Sequence, residues 1–117
     1  MERIRVLLER LRDQLSVGGE HRFAGDVDAA LASCDDAVAA FVMSNELWGG
    51  AGSIADQALG GRSPERLQLE RLLIELGREQ IAMGYANPRT EMWTSAFNEW
   101  HTQKHLTRRC SEPSTLW

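Results

Sequence analysis

Apolar positions recur at three- and four-residue steps along four stretches of the chain, and no period-2 alternation of strand length interrupts them. From Glu2 to about Val17, Ile4, Leu7, Leu8, Leu11 and Leu15 share one helical face, and Gly18-Gly19 supplies the stop. A second stripe, Val27, Leu31, Cys34, Val38, Phe41 and Val42, predicts one continuous helix that opens near Gly25-Asp26, with Asp26 as N-cap, and ends near Asn45. The third helix opens with Ser63-Pro64-Glu65, a capping hydroxyl, a proline at the first helical position and a carboxylate in the first turn, and runs to about Met83-Gly84. Its Leu67, Leu69, Leu72, Leu73, Ile74, Leu76 and Ile81 wrap more than one face, which makes it the central helix. The fourth is announced by Asn87-Pro88 and carries Trp93, Ala96, Phe97 and Trp100 inward until about Leu106.

Short connections favour antiparallel neighbours, so the expected fold is all-α, an up-down bundle of about four helices. It occupies residues 1–108 as a single domain, followed by a polar tail over 109–117. Glu46 to Arg62 is the exception, a long connection containing Gly49, Gly50, Gly52, Gly60 and Gly61, with Ser53 to Leu59 reading as a short helix inside it.

At 117 residues the chain suits one core, and its 43% apolar and 26% charged residues are ordinary for a globular domain. Cys34 and Cys110 make neither a disulfide framework nor a CxxC pair, the start of the chain lacks a signal-peptide pattern, and no apolar run approaches bilayer length. A cytoplasmic protein that neither crosses nor binds a membrane is expected.

The net charge of −4 is unevenly spread. From Phe23 to Gly61 there are six carboxylates, Asp26, Asp28, Asp35, Asp36, Glu46 and Asp56, and no lysine or arginine, although the chain has 13 basic residues. On a continuous second helix Asp28 and Asp35 fall on one flank with Ala32 and Ala39, and Asp36 points further out. Such a flank is either a solvated helix face, with Asp26 and Asp28 favoured near the positive end of the helix dipole, or a surface for a basic partner. No basic segment dominates, which argues against direct nucleic-acid binding.

Candidate chemistry centres on the run Glu46-Leu47-Trp48-Gly49-Gly50-Ala51-Gly52-Ser53-Ile54-Ala55-Asp56-Gln57. Its Trp48, Gly49, Gly50, Gly52, Ser53 and Asp56 could bring backbone amides to an anion; equally, Trp48 could plug the end of the bundle while the glycines give the chain a tight path around it. The phosphate-loop and dinucleotide spacings are absent. His101 and His105 stand four apart on the fourth helix without the further ligands a metal site requires, and Cys34, on the apolar stripe, reads as a buried structural thiol. Neither a catalytic set nor a cofactor or metal site is expected.

The stretch from Glu46 to Gln57, followed by Arg89-Thr90-Glu91-Met92-Trp93 and Phe97, resembles an uncharacterised family of small bacterial helical domains with an ELWGGAGSIADQ-like loop and a later N-x-R-T-x-x-W segment. The resemblance covers most of the chain and implies a shared fold with a recurring loop; it transfers no mechanism. The functional expectation is a non-enzymatic immunity or antitoxin-type inhibitor that meets a basic surface of a cognate toxin through Asp28, Asp35, Asp36, Glu46 and Asp56. Trp48 would either anchor the partner or shape the loop. The alternative is a ligand-binding or enzymatic domain in which Ser53, Asp56, Arg89, His101 and His105 converge.

Overall fold

The computed structural model describes residues 1–49, 52–57 and 64–110, and within these the side chains of residues 56, 57, 100, 101 and 103–110 lie outside the description. Every regular element among the described residues is a helix: α1 (Glu2–Val17), α2 (His21–Leu31), α3 (Asp35–Val42), the single turns α4 (Asn45–Trp48) and α5 (Ile54–Gln57), α6 (Pro64–Met83) and α7 (Pro88–Cys110). The chain is therefore all-α, as the 3.6-residue periodicity predicts.

Helix ends follow from local chemistry. After α1, Gly19 takes φ +83°, Glu20 N–H reaches Leu15 O and Gly19 N–H reaches Ser16 O, a Schellman closure. Gly84 closes α6 in the same way at φ +79°, with Tyr85 N–H on Gln80 O and Gly84 N–H on Ile81 O. Helix α7 starts as the Asn-Pro pair predicts. Asn87 Oδ1 accepts the N–H groups of Arg89 (2.7 Å) and Thr90 (3.0 Å), while Asn87 N–H donates to Thr90 Oγ1. The Ser63 cap expected for α6 lies outside the described residues.

The second helix departs most from expectation. It begins at His21, ahead of Gly25, and it stops at Leu31; after Ala32-Ser33-Cys34 the chain resumes as α3. Gly25 is tolerated inside α2, where half-buried Phe23 packs against the core. Ala32-Ser33-Cys34 contains no glycine or proline, and the stop combines a local bond, Ser33 Oγ–H to Ala29 O at 3.0 Å, with a tertiary one. Arg5 of α1 donates to the carbonyls of Leu31 and Ser33, each at 3.0 Å, and to Asp35 Oδ1 through Nε (2.9 Å) and Nη2 (2.7 Å). One guanidinium thus satisfies the open end of α2 and ties down the first residue of α3. Cys34, expected on the buried stripe, is exposed at the N-cap position of α3 because the break turns it away from the core.

Helix α1 packs on α2 and α6, and α6 packs on α7. Ile4, Leu7, Leu8, Leu11 and Leu15 of α1 join Leu69, Leu73, Ile74 and Leu76 of α6, Phe97 of α7, and Val38, Val42, Leu47 and Trp48 in one core. Helix α7 runs to Cys110, past the expected end near Leu106, so the expected tail begins inside it; residues 111–117 lie outside the described residues. No helix among the described residues is long and apolar enough to cross a membrane.

Candidate functional site

The glycine-bearing segment is organised around Trp48, whose side chain is fully buried. Its indole Nε1–H donates to Gln80 Oε1 at 2.8 Å. Gln80, also fully buried, donates through Nε2 to Val42 O (2.8 Å) and Tyr85 O (2.9 Å). One amide thereby joins the end of α3, the tryptophan of α4 and the turn between α6 and α7. Asn87 adds a parallel tie, its Nδ2 donating to Met43 O at 2.9 Å.

The carbonyl of Gly49 is the second focus. It accepts Ser53 Oγ–H and Trp93 Nε1–H, each at 3.1 Å, and Trp93 in turn stacks on Phe97 with ring centroids 5.2 Å apart. A Cβ at Gly49 would overlap the backbone of Asn45, and Gly52 sits at φ +88°, so these two positions require glycine for space and for backbone conformation respectively. Of the two roles open for Trp48, anchor on a partner or organiser of the loop, the structure carries the second: an enclosed indole has no surface to offer. Ser53 is likewise buried, with its hydroxyl on Gly49 O. Gly50 and the side chain of Asp56 lie outside the described residues.

Among the described side chains, the polar groups of the ligand-binding alternative are not brought together. Arg89 is exposed at the start of α7, whereas Ser53 is interior. The side chains of His101 and His105 lie outside the described residues, although their backbone is helical. Concavities of about 250 and 350 Å³ instead run along α1 and α6, around Leu15, Val17, Leu69 and Leu72, and neither reaches Ser53 or Arg89.

The acidic block lies on α2, α3 and α4, where Asp28, Asp35, Asp36 and Glu46 are exposed. Two of these carboxylates are not left to solvent alone. Arg12 Nη1 meets Asp28 Oδ1 at 3.0 Å, and Arg5 holds Asp35 Oδ1, with the Asp28 and Asp35 side chains still 64% and 66% exposed. The hydrogen bond to Asp28, then that to Asp13, raises the pKa of the Arg12 guanidinium above its ordinary value. The picture of Asp28 and Asp35 on a single helix flank is corrected accordingly: they sit on different helices, either side of the break, and each has drawn an arginine from α1. Counting charge along the sequence could not reveal this, since the neutralising cations come from outside the block. Asp36 and Glu46 make no ion pair among the described residues.

Comparison with protein-family models, with curated proteins and with solved structures finds no match.

Proposed function

We propose that this is a small acidic protein-binding domain of the immunity or antitoxin type, which covers a basic surface on a bacterial toxin. The observation that carries this reading is the 39-residue block from Phe23 to Gly61, with six carboxylates and no lysine or arginine. Four of those carboxylates stand exposed on α2, α3 and α4. A cationic groove built for phosphates would be attracted to such a face and steered onto it at long range. In this reading Asp36 and Glu46, which pair with no cation among the described residues, lead the contact. Asp28 and Asp35 offer the carboxylate oxygens that Arg12 and Arg5 leave unused, and Asp56 extends the same acidic tract. Trp48 contributes from inside, by fixing the loop that follows Glu46. We further read the helices as an up-down bundle of about four principal members with residues 46–62 as its long glycine-rich connection, and the cytoplasm as its compartment.

The structure dictates which substitutions test this. Reversing Asp28 or Asp35 would set a lysine against Arg12 or Arg5 and disturb the α1–α2–α3 packing, so loss of binding would be ambiguous. Asp36→Lys with Glu46→Lys leaves every ion pair among the described residues intact. Co-expression with the product of the neighbouring reading frame, scored by growth and by co-purification, is the assay. Rescue of growth by the wild type, with affinity reduced about tenfold or more in the double variant, is expected. A complex whose affinity ignores both the reversals and added salt would sink the acidic-face reading.

A further inference from the structure

We infer that the α2–α3 joint is the exchange hinge of a domain-swapped dimer, in which residues 21–42 of each copy form one continuous helix and the partner is a second copy of this chain. Three observations lead there. Residues Ala32-Ser33-Cys34 contain no glycine or proline, and the stripe Val27, Leu31, Cys34, Val38 and Val42 passes through them at helical spacing, so one apolar face is continuous through the joint. The break is clamped from 26 to 30 positions away by Arg5, whose guanidinium stands in for the helical N–H groups that Leu31 O and Ser33 O would otherwise receive. Beyond the joint lie Val38, Val42, Leu47 and Trp48, all fully buried.

Straightening the joint within one chain would draw those four side chains out of the core. Between two chains the same movement costs far less. Residues 1–31 of one copy receive α3 to α7 of the other, and vice versa, so every helix interface is restored across a two-fold axis. Only the joint itself differs. It loses the bent geometry clamped by Arg5 and gains continuous helical hydrogen bonds through Ala32-Ser33-Cys34. Protein concentration then decides between the two forms.

Size-exclusion chromatography with light scattering tests this in reducing buffer, so that exposed Cys34 cannot cross-link copies, on protein refolded at micromolar and at millimolar concentration. Arg5→Gln removes the clamp and should strengthen dimerisation by about tenfold or more, the worth of one charge-assisted hydrogen bond, while Arg3→Gln on the same helix matches its charge change and should leave dimerisation at the wild-type level. Cys34→Pro should abolish the dimer and leave a folded monomer. Proline suits the φ of −71° at Cys34 and forbids a continuous helix through it, and the Cys34 N–H donates to no group among the described residues. Where Arg5→Gln fails to fold, Arg5→Lys, which keeps the charge but cannot reproduce the forked bonds to Leu31 O, Ser33 O and Asp35 Oδ1 together, is judged by the same criteria. A folded clamp variant no more dimeric than wild type at millimolar concentration overturns the proposal. So does a dimer that survives Cys34→Pro, because it would be face-to-face association of intact monomers.

Discussion

Gln80 uses its whole amide inside the protein, with both hydrogens on carbonyls and its oxygen on the Trp48 indole. Such a group is costly to remove, because each partner left behind keeps its desolvation penalty and loses its bond. Gln80→Leu strands Trp48 Nε1 and the carbonyls of Val42 and Tyr85, and should lower stability by about 3–5 kcal/mol, a large share of the about 5–15 kcal/mol a domain holds. Trp48→Phe strands only the oxygen of Gln80 and should cost less, about 1–3 kcal/mol. Urea unfolding of both variants measures the difference, and equal losses would show that aromatic volume, and not the amide, holds the segment. The sequence contained a signal for Gln80. Leu69, Leu73, Leu76 and Gln80 recur at helical spacing on α6, so a glutamine continues a leucine stripe into the core. Reading only apolar letters hides it.

At the scale of elements, α1, α6 and α7 were legible because their caps and stripes are local. The split between α2 and α3 was hidden by the continuous apolar stripe: Ser33, which bonds back to Ala29 O, and the Asp35-Asp36 pair mark it only weakly, and the arginine that clamps it lies on another helix. Gly25 shows the opposite error, a residue that reads as a boundary yet lies within α2. A Cβ there meets nothing within 4 Å and its φ is not positive, so Gly25→Ala should stabilise the protein by about 0.5–1 kcal/mol and raise the Tm by several degrees. Gly77 behaves differently. A Cβ there would overlap the side chain of Thr94, whose buried hydroxyl has no hydrogen-bond partner among the described residues. The close approach of α6 and α7 thus depends on the absent side chain. Gly77→Ala should cost about 1–3 kcal/mol, and markedly less in a Thr94→Ala background. A thermal-unfolding double-mutant cycle with no coupling would place the tight contact elsewhere.

For the molecule as a whole, the acidic block was visible as a count but its wiring was not. Arg5 and Arg12 stitch α1 to the block, and among the described residues Asp36 and Glu46 are its exposed carboxylates without an ion pair, with half-buried Asp26 also unpaired. Exposed charges act mainly on encounter, over a screening length of about 8 Å at physiological ionic strength. If the proposed toxin partner is right, association with it should slow with salt in the wild type, and the Asp36→Lys, Glu46→Lys double variant should weaken that dependence with dissociation changed less. Stopped-flow measurements across a salt series separate the two rates. A double variant altered only in dissociation would place these residues in a desolvated contact instead of an encounter surface.

The bond from Trp48 to Gln80 spans 32 residues of chain. At about 5–20 residues per second, synthesis delivers the acceptor about 2–6 s after the indole. For that interval the nascent chain carries Leu47 and Trp48 with no finished core to enter. The carboxylates before and beside them, Asp35, Asp36 and Glu46, travel on the same emerging segment and keep an unprotected aromatic in solvated, mutually repelling company until the second half of the protein arrives.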